Sequence, residues 1–86
     1  MEWMRSVEMS KAFGSVLRKH RLDKKLSQEA LSEKADLHPT HVSLIERFER
    51  NPSLNVADSL AKSLGLSLSE LIAEAEVCQR KNRGSK

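Results

Sequence analysis

The stretch from Ser27 to Arg47 leaves this chain the least conformational freedom. Ser27 suits the cap of a helix N-terminus, and Leu31 and Ala35 follow it four apart on one helical face. Asp36 then stands where a left-handed turn residue is wanted, a conformation glycine enters freely and aspartate tolerates. His38 is placed to cap a second helix, with Pro39 in its first turn, where a missing N–H costs nothing. Val42 and Ile45, three apart, anchor that second helix to the first. The stretch reads as two short helices joined by a tight turn.

The same spacing decides what the second helix shows to the outside. At about 100° per residue, Pro39, Thr40, Ser43, Leu44 and Arg47 share one face, opposite Val42 and Ile45. That face carries two hydroxyls, a guanidinium and a leucine, and no acid. A short helix of this kind, held out by a rigid partner, fits the major groove of DNA. An ordinary helical hairpin with a solvated face is the plainer alternative, and pattern alone favours it.

The flanks add helices around this pair. Ser10 is placed to cap a first helix running to about Lys25, with Phe13, Val16, Leu17 and His20 inward and Arg18, Lys19 and Lys24 outward. After the loop Phe48-Glu49-Arg50-Asn51-Pro52, Ser53 is a cap for a fourth helix with Leu54, Ala57, Leu60, Ala61 and Leu64 inside. Gly65 ends that helix, and Ser67-Leu68-Ser69-Glu70 is a capping box for a fifth. Leu68, Leu71 and Ile72 are its apolar side. Residues 1–9 are expected as an N-terminal arm, 10–75 as the folded domain and 76–86 as a basic, solvated tail. Trp3, Met4 and Val7 could alternatively form a packed helical stripe.

Charge is segregated along the chain. Residues 11–25 hold six cations against Asp23, residues 54–78 hold four acids against Lys62, and residues 79–86 hold four cations and no acid. A basic front half and an acidic back half orient the molecule on a polyanion. No apolar run approaches the roughly 18 residues a membrane span needs, and the single Cys78 fits a reducing cytoplasm. His20, His38 and His41 have no cysteine or acid completing a four-ligand set, so no metal is expected. The absence of a Gly-rich phosphate loop or a Cys–His nucleophile pair argues against an enzyme, and no cofactor is implied.

Phe13-Gly14, Leu17-Arg18, Arg21, Leu26-Ser27-Gln28-Glu29, Leu31, Ala35, Leu37, Val42-Ser43, Ile45-Glu46-Arg47, Arg50-Asn51-Pro52-Ser53-Leu54, Leu60-Ala61, Leu64-Gly65-Leu66-Ser67 and Glu70-Leu71 come in one order and at one spacing. In these residues the chain resembles the Cro/CI-type, or XRE, family of helix-turn-helix regulators, including its restriction–modification controller proteins. The resemblance implies an all-α, five-helix, lambda-repressor-like fold. It implies an ion pair between Arg21 and Glu46, phosphate contacts from Gln28, Arg50 and Asn51, and dimerisation through the fourth and fifth helices. Lys25, Asp36 and Phe48 depart from the family's usual glycines, at three sites that want φ > 0.

The expectation is a homodimeric transcriptional regulator of double-stranded DNA, acting on a pseudo-palindromic operator through residues 39–47, with RNA polymerase as a further partner. Base readout falls to Pro39, Thr40, Ser43, Leu44 and Arg47, and backbone contact to Ser27, Gln28, His38, His41, Arg50 and Asn51. Leu66, Leu68, Leu71 and Ile72 are expected at the dimer interface. The alternative is an antitoxin-like or adaptor module that keeps the fold without reading DNA.

Overall fold

A computed structural model describes residues 2–84, with side chains from 9 to 81. Its helices are α1 (Glu2–Asp23), α2 (Gln28–Lys34), α3 (His41–Glu46), α4 (Leu54–Ser63) and α5 (Leu68–Gly84), with no strand among the described residues. None of these helices is long and apolar enough to cross a membrane.

The first four helices end in the same corner. After α1, Leu26 N–H reaches the Arg21 carbonyl at 3.1 Å and Lys25 N–H reaches Leu22 at 2.9 Å. After α2, Leu37 bonds Ser32 and Asp36 bonds Glu33; after α3, Glu49 bonds Leu44 and Phe48 bonds Ile45; after α4, Leu66 bonds Ala61 and Gly65 bonds Lys62. Each pair is a Schellman cap, which satisfies carbonyls left over at a helix end and needs one residue in the left-handed region. Gly65 takes that place at φ 79°, whereas Lys25, Asp36 and Phe48 hold it at 59°, 63° and 64°. The three departures from glycine therefore leave the turns intact and carry a backbone strain of about 1–2 kcal/mol each, least for aspartate.

The N-terminal caps are equally local. Ser27 Oγ accepts the Ala30 N–H at 2.9 Å, Ser53 Oγ accepts Val56 N–H at 3.1 Å, and Ser67 and Glu70 exchange bonds at 2.8 and 3.1 Å. Phe13, Val16 and Leu17 of α1, Leu31 and Ala35 of α2, Val42 and Ile45 of α3, Leu60 and Leu64 of α4, and Leu71 and Ala75 of α5 close one core.

Four expectations change. Helix α1 starts at Glu2, so residues 2–9 continue it and Ser10 lies inside it, where its hydroxyl donates to Asn51 Oδ1. The side chains of Trp3, Met4 and Val7 lie outside the described residues. Helix α5 runs through the basic segment to Gly84, because Ala75 and Cys78 keep packing on the core beyond the point where apolar spacing fades. Leu54 is 78% exposed, since the first residue of α4 lies beyond the packed part of the bundle. Leu71 is 0% exposed within the chain itself, so it holds α5 to the core and has no surface for a partner.

Candidate nucleic-acid interface

A six-residue helix does not hold itself together, and α3 is positioned from three sides. Val42 and Ile45 are buried, and Val42 N–H, an orphan donor of the first turn, is taken by Ser32 Oγ of α2 at 3.1 Å. The Ser32 hydroxyl, buried on the inner face of α2, is the sequence signal for this bond. At the other end Gly14 brings the α1 backbone against the last turn of α3. A Cβ there would sit 2.8 Å from the Ile45 carbonyl oxygen and 3.1 Å from Phe48 Cε1.

The third hold is electrostatic. Arg21 donates from Nε to Glu46 Oε2 at 2.7 Å and from Nη2 to Oε1 at 3.0 Å, and its Nη1 donates to the Leu26 carbonyl at 2.8 Å. Gln28 Nε2 completes the set on Glu46 Oε1 at 3.0 Å. The two charged side chains are 9% and 2% exposed. A bidentate guanidinium–carboxylate pair with both ends satisfied fixes angle as well as distance. It ties the end of α1, the start of α2 and the end of α3 together, so Arg21 and Glu46 aim the helix and leave contact to its outer face.

That outer face is open. Pro39, Thr40 and Arg47 are exposed, Ser43 and Leu44 half-buried, and none belongs to the core. The regular helix begins at His41, one residue after a turn over His38–Thr40 in which His41 N–H bonds the His38 carbonyl. His38 caps that turn: its Nδ1 accepts Thr40 N–H at 3.2 Å, while Thr40, the formal cap of α3, gives the helix no side-chain bond. Ser43 Oγ donates to the Thr40 carbonyl at 2.8 Å. Arg47 Nη2 donates to Glu49 at 2.8 Å, a partner the sequence reading does not assign. Both side chains are more than half exposed, and such a pair is worth about 0–1 kcal/mol, too little to lock the guanidinium.

The residues assigned to backbone contact surround this face unevenly. Ser27, Gln28, Pro39, Thr40 and Ser43 line one recess of about 200 Å³. Ser27 Oγ accepts from Ala30, so its own proton has no acceptor among the described residues, and Gln28 keeps one amide proton beyond the Glu46 bond. Arg50 and Asn51 lie at the far end of α3, exposed, with Asn51 Oδ1 held by Ser10. His41 sits between, its imidazole held below its ordinary 6.5 by desolvation first and then by the charges of Arg50 and His38. His20 is elsewhere, on α1 with Nε2 2.8 Å from Glu74 of α5.

Of the residues expected at a dimer interface, Leu66, Leu68 and Ile72 are partly buried against the core, and Leu71 is unavailable. Leu54, assigned inward from sequence, instead lines an open recess with Met9, Pro52 and Ile72.

A helix-turn-helix family profile matches residues 17–71. The chain belongs to the XRE-type helix-turn-helix family. It is similar to control protein C.BamHI of Bacillus amyloliquefaciens, 43% identical over 61 residues that make up 70% of this chain and 75% of that one. The solved restriction-modification controller protein C.AhdI from Aeromonas hydrophila superposes with a TM-score of 0.69 at 39% identity, covering 72% of this chain and 94% of that one. The clp gene regulator ClgR from Corynebacterium glutamicum gives a TM-score of 0.83 at 26% identity, over 90% and 82%. The XRE-type span contains α2, α3 and every residue placed above from Ser27 to Asn51, while the first half of α1 and most of α5 lie beyond it.

Proposed function

We propose that this XRE-type protein is a sequence-specific transcriptional regulator that binds double-stranded DNA as a homodimer. Two copies of α3 enter successive major grooves of a pseudo-palindromic operator, about 34 Å apart. The observation that carries the reading is the outer face of α3: Thr40, Ser43, Leu44 and Arg47 stand outside the core on a helix braced from three sides. Ser27, Gln28, Arg50 and Asn51 supply donors at its margins for the sugar–phosphate backbone, which positions the helix without reading sequence.

The dimer reading rests on Leu54, Leu68 and Ile72. Leu54 is a large apolar side chain with little cover, and Ile72 shares its recess. A chain of 86 residues buries a small core of its own and gains from pairing. Bound to its operator, the dimer blocks or recruits RNA polymerase. Likeness to C.BamHI and C.AhdI favours the controller subtype.

Selection of bound duplexes from fragmented genomic DNA, followed by mobility-shift titration over a salt series, tests this. One enriched palindrome is expected, with log affinity falling linearly against log salt. Failure to enrich any sequence, together with salt-insensitive binding, overturns the proposal. Full biological activity of Thr40→Ala and Arg47→Ala, with one co-purifying protein partner, would instead establish the adaptor reading.

A further inference from the structure

We infer that the hydroxyls of Thr40 and Ser43 are set as hydrogen-bond acceptors, so that the positions beneath them select adenine or cytosine by the exocyclic amino group. The inference rests on the DNA-binding reading above and names what that face reads.

A hydroxyl has one proton and two lone pairs. Ser43 spends its proton inside its own helix, on the Thr40 carbonyl at 2.8 Å. Thr40 spends its proton on His38. With the ring protonated at Nε2, the tautomer that lets Nδ1 accept the Thr40 N–H at 3.2 Å, the 2.9 Å contact with Thr40 Oγ1 runs from hydroxyl to ring. What both residues present outward is therefore lone pairs.

In the major groove, adenine N6 and cytosine N4 are donors, whereas guanine and thymine offer acceptors at N7, O6 and O4. A lone pair opposite an amino group bonds without rearrangement. Opposite guanine or thymine, the hydroxyl must first withdraw its proton from Thr40 O or His38 Nδ1 and lose that bond. The same polarity makes Ser43 a poor phosphate ligand, because phosphate oxygens are acceptors too. Arg47, the cation of this face, has the reverse polarity and suits guanine or phosphate. His38 thus acts on sequence choice through Thr40, as a positioning residue.

The test uses the full chain and duplexes selected from a random library at pH 8. Subsites are mapped by comparing wild type with Thr40→Val and Ser43→Ala. Adenine or cytosine is expected at both, and replacing that adenine by purine, or that cytosine by 2-pyrimidinone, deletes the amino group and weakens wild-type binding about 5-fold. The corresponding variant shows no loss. His38→Ala releases the Thr40 proton and brings the amino-base preference at that subsite below about 2-fold, with the Ser43 subsite unchanged. His38→Asn restores the preference through its side-chain carbonyl. Each readout is a ratio within one variant, so a change in overall affinity does not mimic it. No response to amino deletion at either subsite overturns the inference and leaves the DNA-binding reading standing. Selection of no sequence at all removes both.

Discussion

Substituting Glu46→Ala isolates what the buried ion pair does. The change removes three hydrogen-bond acceptor contacts at once, two to Arg21 and one to Gln28. It leaves a guanidinium whose side chain is 9% exposed with the Leu26 carbonyl as its remaining partner. Breaking a buried pair from one side costs about 3–5 kcal/mol, mostly the penalty of the stranded charge. Total stability for a domain of this length is roughly 4–13 kcal/mol, so the variant should be partly unfolded at moderate temperature. Urea unfolding followed by helical circular dichroism measures the loss. The companion variant Arg21→Met/Glu46→Leu removes both charges and should unfold within about 1 kcal/mol of wild type. It should nevertheless bind operator more weakly, because Gln28 loses the carboxylate that steadies it. A Glu46→Ala cost under about 1 kcal/mol, or a double variant as unstable as the single one, would refute the stranded-charge account.

Three further outcomes are expected. Lys25→Gly relieves a left-handed backbone at an exposed site and should stabilise by about 0.5–1 kcal/mol, after the entropic cost of glycine, raising Tm by about 3–6 °C; Phe48→Gly should gain less, because its ring packs beside Gly14. Glu49→Gln removes a carboxylate that competes for Arg47 and should tighten operator binding about 2- to 5-fold in low salt, measured by titration, with the gain shrinking as salt rises. His41 has a folded pKa below its unfolded value, so the unfolded chain takes the proton more readily. Its contribution to stability is complete above pH 6.5 and declines as pH falls through 6.5 toward the lower folded value. His41→Asn should flatten that part of the stability–pH curve in chemical unfolding.

The features legible in the sequence are those set by a few neighbouring residues. Ser27, Ser53 and the Ser67–Glu70 box declare helix starts because a cap bond spans two or three positions. Asp36 is readable as a left-handed site from its place between two helices, and Lys25 and Phe48 because they stand where the resembling family keeps glycine. The outer face of α3 follows from the placement of Val42 and Ile45 alone. The errors fall where partners from distant segments decide the outcome. The start of α1 and the end of α5 carry no cap signal, and α5 is prolonged by packing of Ala75 and Cys78. Leu54 and Leu71 fit one apolar pattern, yet one lies past the end of the bundle and the other in its middle. Glu49 and Ser32 have roles that depend on where Arg47 and Val42 N–H arrive.

The contact at Gly14 has a mechanical side. Where most helix pairs are cushioned by interlocking side chains, here the main chain of α1 bears directly on a carbonyl of α3, with no compressible layer between them. A shift of α1 toward that carbonyl has no rotamer to absorb it and must displace α3 itself. A displacement of α1 at this point is therefore passed to α3 as a change of tilt. At Gly14 the two helices behave as one rigid piece.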